Sequence, residues 1–235
     1  MSGQTAVILA ALITVALPIL AAAILAGGDK TRLLYALLGA ATFLVFEYLL
    51  RFPLLSLLSN ESLSFILFSQ TQPVLYPLAL SLSAALFEEG GRYLALRFLV
   101  RRRAFEDGVA FGIGFGGVES IALVGLPLLS VLITKEDVSG AMVLISAAER
   151  VFTMVVHIAF SVMVLRGVEK KRVWEILAAF ALHTVFNFIA LALQVAGYPV
   201  YVSELFILGF MFFMLGYILY VRINILGHAE KGDAA

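Results

Sequence analysis

An all-α, polytopic bundle of about seven transmembrane helices is predicted by three features of this sequence. The 235 residues are 62% hydrophobic and 14% charged, against roughly 45–50% apolar in soluble domains. Mean hydropathy is +1.04. Apolar runs of about 20 residues, long enough to cross a bilayer, recur along nearly the whole chain. They leave no room for a separate soluble domain, so residues 1–235 read as one integral membrane domain, multi-pass in the cell membrane. The formal net charge is zero, so nothing argues for a nucleic-acid partner. The absence of cysteine excludes disulfides, thiolate metal ligands and thiol nucleophiles.

The segments fall at about 5–26, 33–52, 73–100, 108–133, 139–166, 173–196 and 201–226, separated by short polar or Gly/Pro-containing joints. All are expected to be helical, because lipid offers backbone groups no partner. The first run, Ala6 to Leu25, lacks the basic start of a cleavable signal and is read as a retained span. Lys30 and Arg32, then Arg101, Arg102 and Arg103, then Arg166, Lys170, Lys171 and Arg172, and finally Arg222 and Lys231 occupy alternate joints and the tail. The opposite joints hold Arg51 and Lys135. By the positive-inside rule the N-terminus is outside and the C-terminus inside. Leu54 to Gln72 is expected to be the longest outer connection. Its Asn60-Glu61-Ser62 matches a glycosylation sequon, but such compact loops also suit a prokaryotic cytoplasmic membrane. The final "GHAEKGDAA" reads as a solvated tail in which His228 is inert. Trp174 follows a basic cluster and fits an inner-interface anchor.

Removing the joints leaves Glu47, Glu88, Glu89, Arg92, Glu119, Glu149, Arg150, His157 and His183 at depth. A charged side chain at a helix centre costs about 2.5–3.5 kcal/mol on insertion scales, so the default reading is an interior site. At about 1.5 Å rise per residue, Glu88 and Glu89 lie roughly 18 Å from the basic end of their span, Glu119 about 16 Å, His157 about 14 Å and His183 about 16 Å. Four consecutive helices therefore bring acid or imidazole to one level. Glu88 and Glu89 stand four and three residues before Arg92, which can neutralise one of them. His183 and Asn187 share a face, and Arg150, Thr153, His157 and Ser161 form a polar stripe. Glu47, alone on the second span, either lines an outer cavity or bonds a neighbour.

Four carboxylates, Glu88, Glu89, Glu119 and Glu149, against two arginines leave an excess of negative charge at depth. Protonated carboxyls, protonated histidines or a bound divalent cation would each resolve it. "GIGFGG" satisfies G-x-G-x-x-G, but no strand precedes it; Gly112, Gly116 and Gly117 are read as a close-packing face.

Carboxylates and imidazoles around a sequestered cavity can activate water and stabilise an oxyanion at an attacked carbonyl. The same groups can hold zinc with an open water position. There is no H-E-x-x-H and no G-x-S-G, and Asp29, Asp107, Asp137 and Asp233 all fall in joints or the tail, which rules out an intramembrane aspartyl dyad. A glutamate and histidine site remains.

Glu88-Glu89-Gly90-Gly91-Arg92, Phe115-Gly116-Gly117-Val118-Glu119, Glu149-Arg150 with His157, and His183-Thr184-Val185-Phe186-Asn187 together resemble the YhfC family of predicted intramembrane metalloproteases. That family is related to the CAAX-protease-like (CPBP) and PrsW proteases and to a scaffold subunit of gamma-secretase. The resemblance covers residues 73–196, the expected catalytic core. It implies an intramembrane peptidase acting on a membrane protein or peptide. In that reading Glu88 is the water-activating base, Glu89 its partner, and Arg92 orients the pair. Glu119 matches the second-motif glutamate, His183 and Asn187 stabilise the oxyanion, and His157 is a further ligand or donor. In the metal reading Glu88, Glu119, His157 and His183 would hold Zn2+. Where the family pattern has a histidine in the glycine-rich segment, this chain has Phe115, one ligand fewer. The alternatives are a proton- or ion-coupled transporter, which suits midplane acids around a cavity, and a non-catalytic scaffold subunit of the same superfamily.

Overall fold

The structure, a computed structural model, describes residues 3–232, with side chains through Ile225; the readings of His228 and Lys231 fall on side chains outside that set. Among the described residues there are eight helices and no strand. They are α1 Gly3–Ala26, α2 Lys30–Glu61, α3 Leu63–Thr71, α4 Leu75–Phe98, α5 Phe105–Thr134, α6 Gly140–Glu169, α7 Val173–Val195 and α8 Val200–Gly232. This is the predicted all-α bundle, with seven long helices and one short one. The last helix continues to Gly232, six residues past the expected end of its span.

Six of the long helices are apolar enough to cross a membrane by length and composition. The seventh, α4, has the length, 24 residues or ~36 Å, but carries Glu88, Glu89, Arg92 and Arg97. It does not need apolarity all round. Its first three charges are buried against α7, α6 and α2, so protein rather than lipid surrounds them.

The expected outer connection at residues 54–72 is not an extended loop. α2 runs on to Glu61, and α3 turns back after Ser62, whose hydroxyl accepts the Phe65 N–H. The segment is leucine-rich and has no glycine or proline beyond Pro53 to stop a helix. Phe65 and Phe68 fasten α3 edge-on to Tyr76 of α4.

Three helices contain π-helical turns, Leu12–Ala16 in α1, Leu44–Arg51 in α2 and Ile121–Gly125 in α5. Each ends two residues before a proline: Pro18, Pro53 and Pro127. Proline lacks an N–H and its ring collides with the carbonyl four residues back; widening the preceding turn keeps the helix continuous. Pro127 therefore bulges its span without breaking it.

Glycines set the central packing. A Cβ on Gly112 would lie 2.5 Å from Ile158 Cα, and one on Gly116 3.1 Å from Met154 Cα, so α5 and α6 touch backbone to backbone. On the opposite face Gly114 meets Ala36 and Gly39 meets Phe111, joining α5 to α2. The expected close-packing face is present, with Gly117 turned to Pro18 of α1. Phe111, Phe160, Val164 and Met214 fill the core on the side of the basic joints.

At that end Arg102 closes a clasp. Its guanidinium reaches Asp107 at 2.6 Å and Asp29 at 2.8 Å, and its backbone N–H donates to the Tyr35 hydroxyl. Asp29 caps α2 by accepting from Thr31 and Arg32 N–H. The Arg102 hydrogen bond, aided by those two, holds the Asp29 carboxyl below its ordinary pKa, and the bond to Asp107, followed by that to Asp29, raises the pKa of Arg102.

Candidate active site

Glu88 and Glu89 are consecutive on α4, so their side chains diverge by about 100° around the helix. Glu88 faces a cavity of about 360 Å³. Glu89 faces α7, where His183 Nδ1 lies 2.7 Å from its Oε1. Arg92, one turn on, bonds the same oxygen and is fully buried. The arginine thus neutralises Glu89 and leaves Glu88 without a counterion in hydrogen-bond contact.

The two imidazoles are held from behind. His183 stacks on Phe160 at 5.0 Å and 15°; with Nδ1 bound to Glu89, its Nε2 turns toward Glu88 Oε1, 3.8 Å away. His157 Nδ1 is 3.1 Å from Arg92 Nη2 and 3.7 Å from Glu88 Oε2, and its Nε2 is 2.5 Å from Glu119 Oε2. Phe115 lies beneath both Arg92 and His157: the guanidinium carbon is 4.1 Å from the ring centroid and the imidazole 5.4 Å. Phe115 is thus a platform for the arginine.

Every residue expected at the site is brought to it, in two layers. Glu88, Glu119, His157, His183 and Asn187 line the cavity. Glu89 and Arg92 do not; they stand behind the two histidines. Asn187 has no side-chain hydrogen bond among the described residues. The polar stripe on α6 is only partly aimed inward, because Ser161 turns back to the His157 carbonyl at 2.8 Å. Arg150 bridges Glu119 at 2.8 Å and Glu149.

Three carboxylate oxygens here, Glu47 Oε1, Glu88 Oε2 and Glu89 Oε2, are buried without a hydrogen-bond partner. Glu119 Oε2 is different: it lies 2.5 Å from His157 Nε2. A buried acceptor without a donor is costly, and such groups mark sites that await a proton, a water or a cation. Glu88, Glu119 and His157 each offer one atom, all within 4.8 Å of one another, as a group that could hold a metal ion.

The cavity continues away from the basic joints, past Ser81, Arg51 and Gln194, toward the end of the bundle where α7 finishes. Sequence reasoning placed Arg51 in a joint. It is instead part of α2, where it pairs with Glu47 at 2.8 Å and reaches Leu80 O and Ser83 Oγ of α4. The signal was available, since Glu47 and Arg51 are four residues apart. The two readings of Glu47 are alternatives, and the structure combines them: it lines the cavity and accepts from Arg51 on its own helix.

Comparison with known proteins follows the same residues. The family described as YhfC intramembrane metalloprotease matches residues 13–140 and 131–208, a longer stretch than residues 73–196. A Bacillus subtilis (strain 168) protein, "Uncharacterized membrane protein YhfC", is 31% identical over 188 residues, 67% of this chain and 72% of its own length. No solved structure matches.

Proposed function

Starting from a chain that belongs to the YhfC family of intramembrane metalloproteases, we propose that it hydrolyses a peptide bond in or near the membrane with water activated at Glu88. The observation that carries this reading is the Glu88 carboxylate. It is buried to 7% exposure and lines the cavity. Oε2 has no hydrogen-bond partner, and imidazole nitrogens stand 3.7 and 3.8 Å from its two oxygens. Those separations are too long for direct hydrogen bonds and leave room for a bridging water.

Glu88 takes the proton of that water as general base. Glu89 and Arg92 position: the first fixes His183 through Nδ1, the second holds His157. With Nδ1–H given to Glu89, neutral His183 turns an accepting Nε2 to the cavity, so the Asn187 amide on the same wall is the donor available to an oxyanion and His183 joins it only as the imidazolium. Phe115 and Phe160 lie against the far sides of the two histidines, and the core beyond them is apolar, which favours a pocket for hydrolysis over a path for transport. With the basic joints cytoplasmic, N-terminus outside and C-terminus inside, the cavity addresses the outer half of the bilayer and a membrane protein or membrane-bound peptide as substrate.

The donor set also fits a metal, because Glu88 and Glu119 present buried acceptor oxygens beside an imidazole. Glu88, Glu119 and His157, with His183 adjacent, would hold Zn2+, which supplies Lewis acidity and lowers the pKa of water. One contact ranks metal-free activation first. A guanidinium only donates, so Arg92 at His157 Nδ1 puts the ring hydrogen of neutral His157 on Nε2, the atom turned to Glu119.

The test is cleavage of a reconstituted membrane substrate by wild type and Glu88→Gln. Loss of about 10²-fold or more, with helicity and monodispersity unchanged, is expected. Equal rates would remove Glu88 from the chemistry in both readings. Inactivity of the wild type on a broad panel of membrane substrates would favour a scaffold.

A further inference from the structure

A second cavity, about 290 Å³, lies at the opposite end of the bundle between the start of α5 and the ends of α6 and α8. Its walls divide by chemistry. Val162, Leu165, Val221 and Ile225 form an apolar side, and Arg103, Arg166, Lys170 and Arg222 bring four cations from three separate parts of the chain. Two carboxylates, Glu106 and Glu169, also line it, for a local excess of two positive charges.

The cations are not consumed by pairing. Neither Glu106 nor Glu169 makes an ion pair among the described residues, and Lys170 and Arg222 make none either. Arg103 spends one nitrogen on the Arg97 carbonyl, while its Nε is buried without a partner. Arg166 is half engaged, 3.4 Å from the Tyr217 hydroxyl and 3.6 Å from Glu175. The level is that of the membrane interface: the pocket lies among the basic joints, and Trp174, two residues beyond that cluster, is 63% exposed.

We propose that this cavity binds the phosphate headgroup of an anionic membrane lipid. The cations meet the phosphate, and the valine, leucine and isoleucine side takes the glycerol and the start of an acyl chain. A pocket that is charged on one side and apolar on the other, at the end of a bundle, matches an amphiphile better than a free anion. The proposal is independent of the catalytic reading, since the two cavities share no residue.

The test is lipid binding to the purified full-length protein in mixed micelles, followed by native mass spectrometry and thermal midpoint. Phosphatidylglycerol is expected to saturate at one tightly held molecule per chain and to raise the midpoint, and phosphatidylcholine to do neither. Arg103→Ala and Lys170→Ala should each weaken binding about fivefold. Arg101→Ala, an exposed cation of the same joint outside the cavity, should leave it unchanged. Equal losses in all three variants would mean diffuse surface charge and overturn the proposal, as would no saturable binding. Glycerol phosphate matching phosphatidylglycerol in affinity would transfer the site to a soluble phosphate and overturn the lipid assignment. Should Arg103→Ala misfold, Lys170→Ala against Arg101→Ala decides alone.

Discussion

Two arginine–carboxylate clusters lie at different depths of the same bundle, and they are finished to different degrees. In the clasp Arg102 covers both oxygens of Asp107, whose Oδ2 also takes the Ala104 N–H. Asp29 is likewise occupied on both oxygens, by Thr31 and Arg32 on one and Arg102 on the other. In the central cluster Arg92 and Arg150 are also paired, yet Glu47, Glu88 and Glu89 each keep one buried oxygen with no donor. The clasp sits where water could have solvated it, and the central cluster sits where water is scarce. In the proposed function, a reacting water completes this unfinished network in the more expensive place.

The largest effects should come from the layer that holds the imidazoles. Glu89→Gln keeps an acceptor for His183 but leaves Arg92 as an uncompensated buried cation. It should destabilise by about 3–5 kcal/mol, read as a lower denaturation midpoint, along with loss of cleavage. If Glu89→Gln were as stable as wild type, the two-layer division would fail. Next, Asn187→Ala should lower kcat by about 10²-fold with KM little changed, since an oxyanion donor acts in the transition state. A change in KM alone would make Asn187 a substrate contact.

A metal would change the count at the central cluster only. Elemental analysis after mild purification should find less than stoichiometric zinc if water alone is activated. One zinc per chain, lost in His157→Ala, would put the metal reading first. In the clasp, Asp107→Asn should cost about 1.5–2 kcal/mol, the lower part of the range for hydrogen bonds to charged groups, because Arg102 is 43% exposed and screened. Cleavage by the folded fraction should not change.

The smallest effect is one of pH. The folded Asp29 carboxyl has a depressed pKa, so its contribution is complete above the ordinary aspartate value, near 3.9. It is lost as pH falls through the lower folded value. Wild type should therefore lose midpoint below about pH 4 faster than Asp29→Asn does. Parallel acid profiles would mean that the clasp is not coupled to folding.

Much of the site was legible because helical spacing and depth are simple arithmetic. Counting residues from the basic joints put Glu88, Glu119, His157 and His183 at one level, and they do line one cavity. The arithmetic does not say which of two neighbouring glutamates faces inward. That depends on the rotation of α4, which is set by the packing of Gly91 on the Phe46 ring and of Glu89 on His183. Arg51 was hidden for a related reason. A charge at the end of an apolar run reads as a joint unless the helix is known to continue, and here it continues to Glu61 because π-helical widening before Pro53 lets it pass the proline. The direction of the cavity was not legible either, since it is a property of how α2, α4 and α7 splay at one end.

The central claim is that the unfinished Glu88 carboxylate on the cavity serves chemistry and the finished Asp107 clasp serves the fold. It is tested most directly by measuring thermal midpoint and membrane-substrate cleavage together for Glu88→Gln and Asp107→Asn. The account predicts that Glu88→Gln keeps or raises the midpoint and loses cleavage, while Asp107→Asn lowers the midpoint and keeps cleavage. A Glu88→Gln protein that melts early and still cleaves would contradict it.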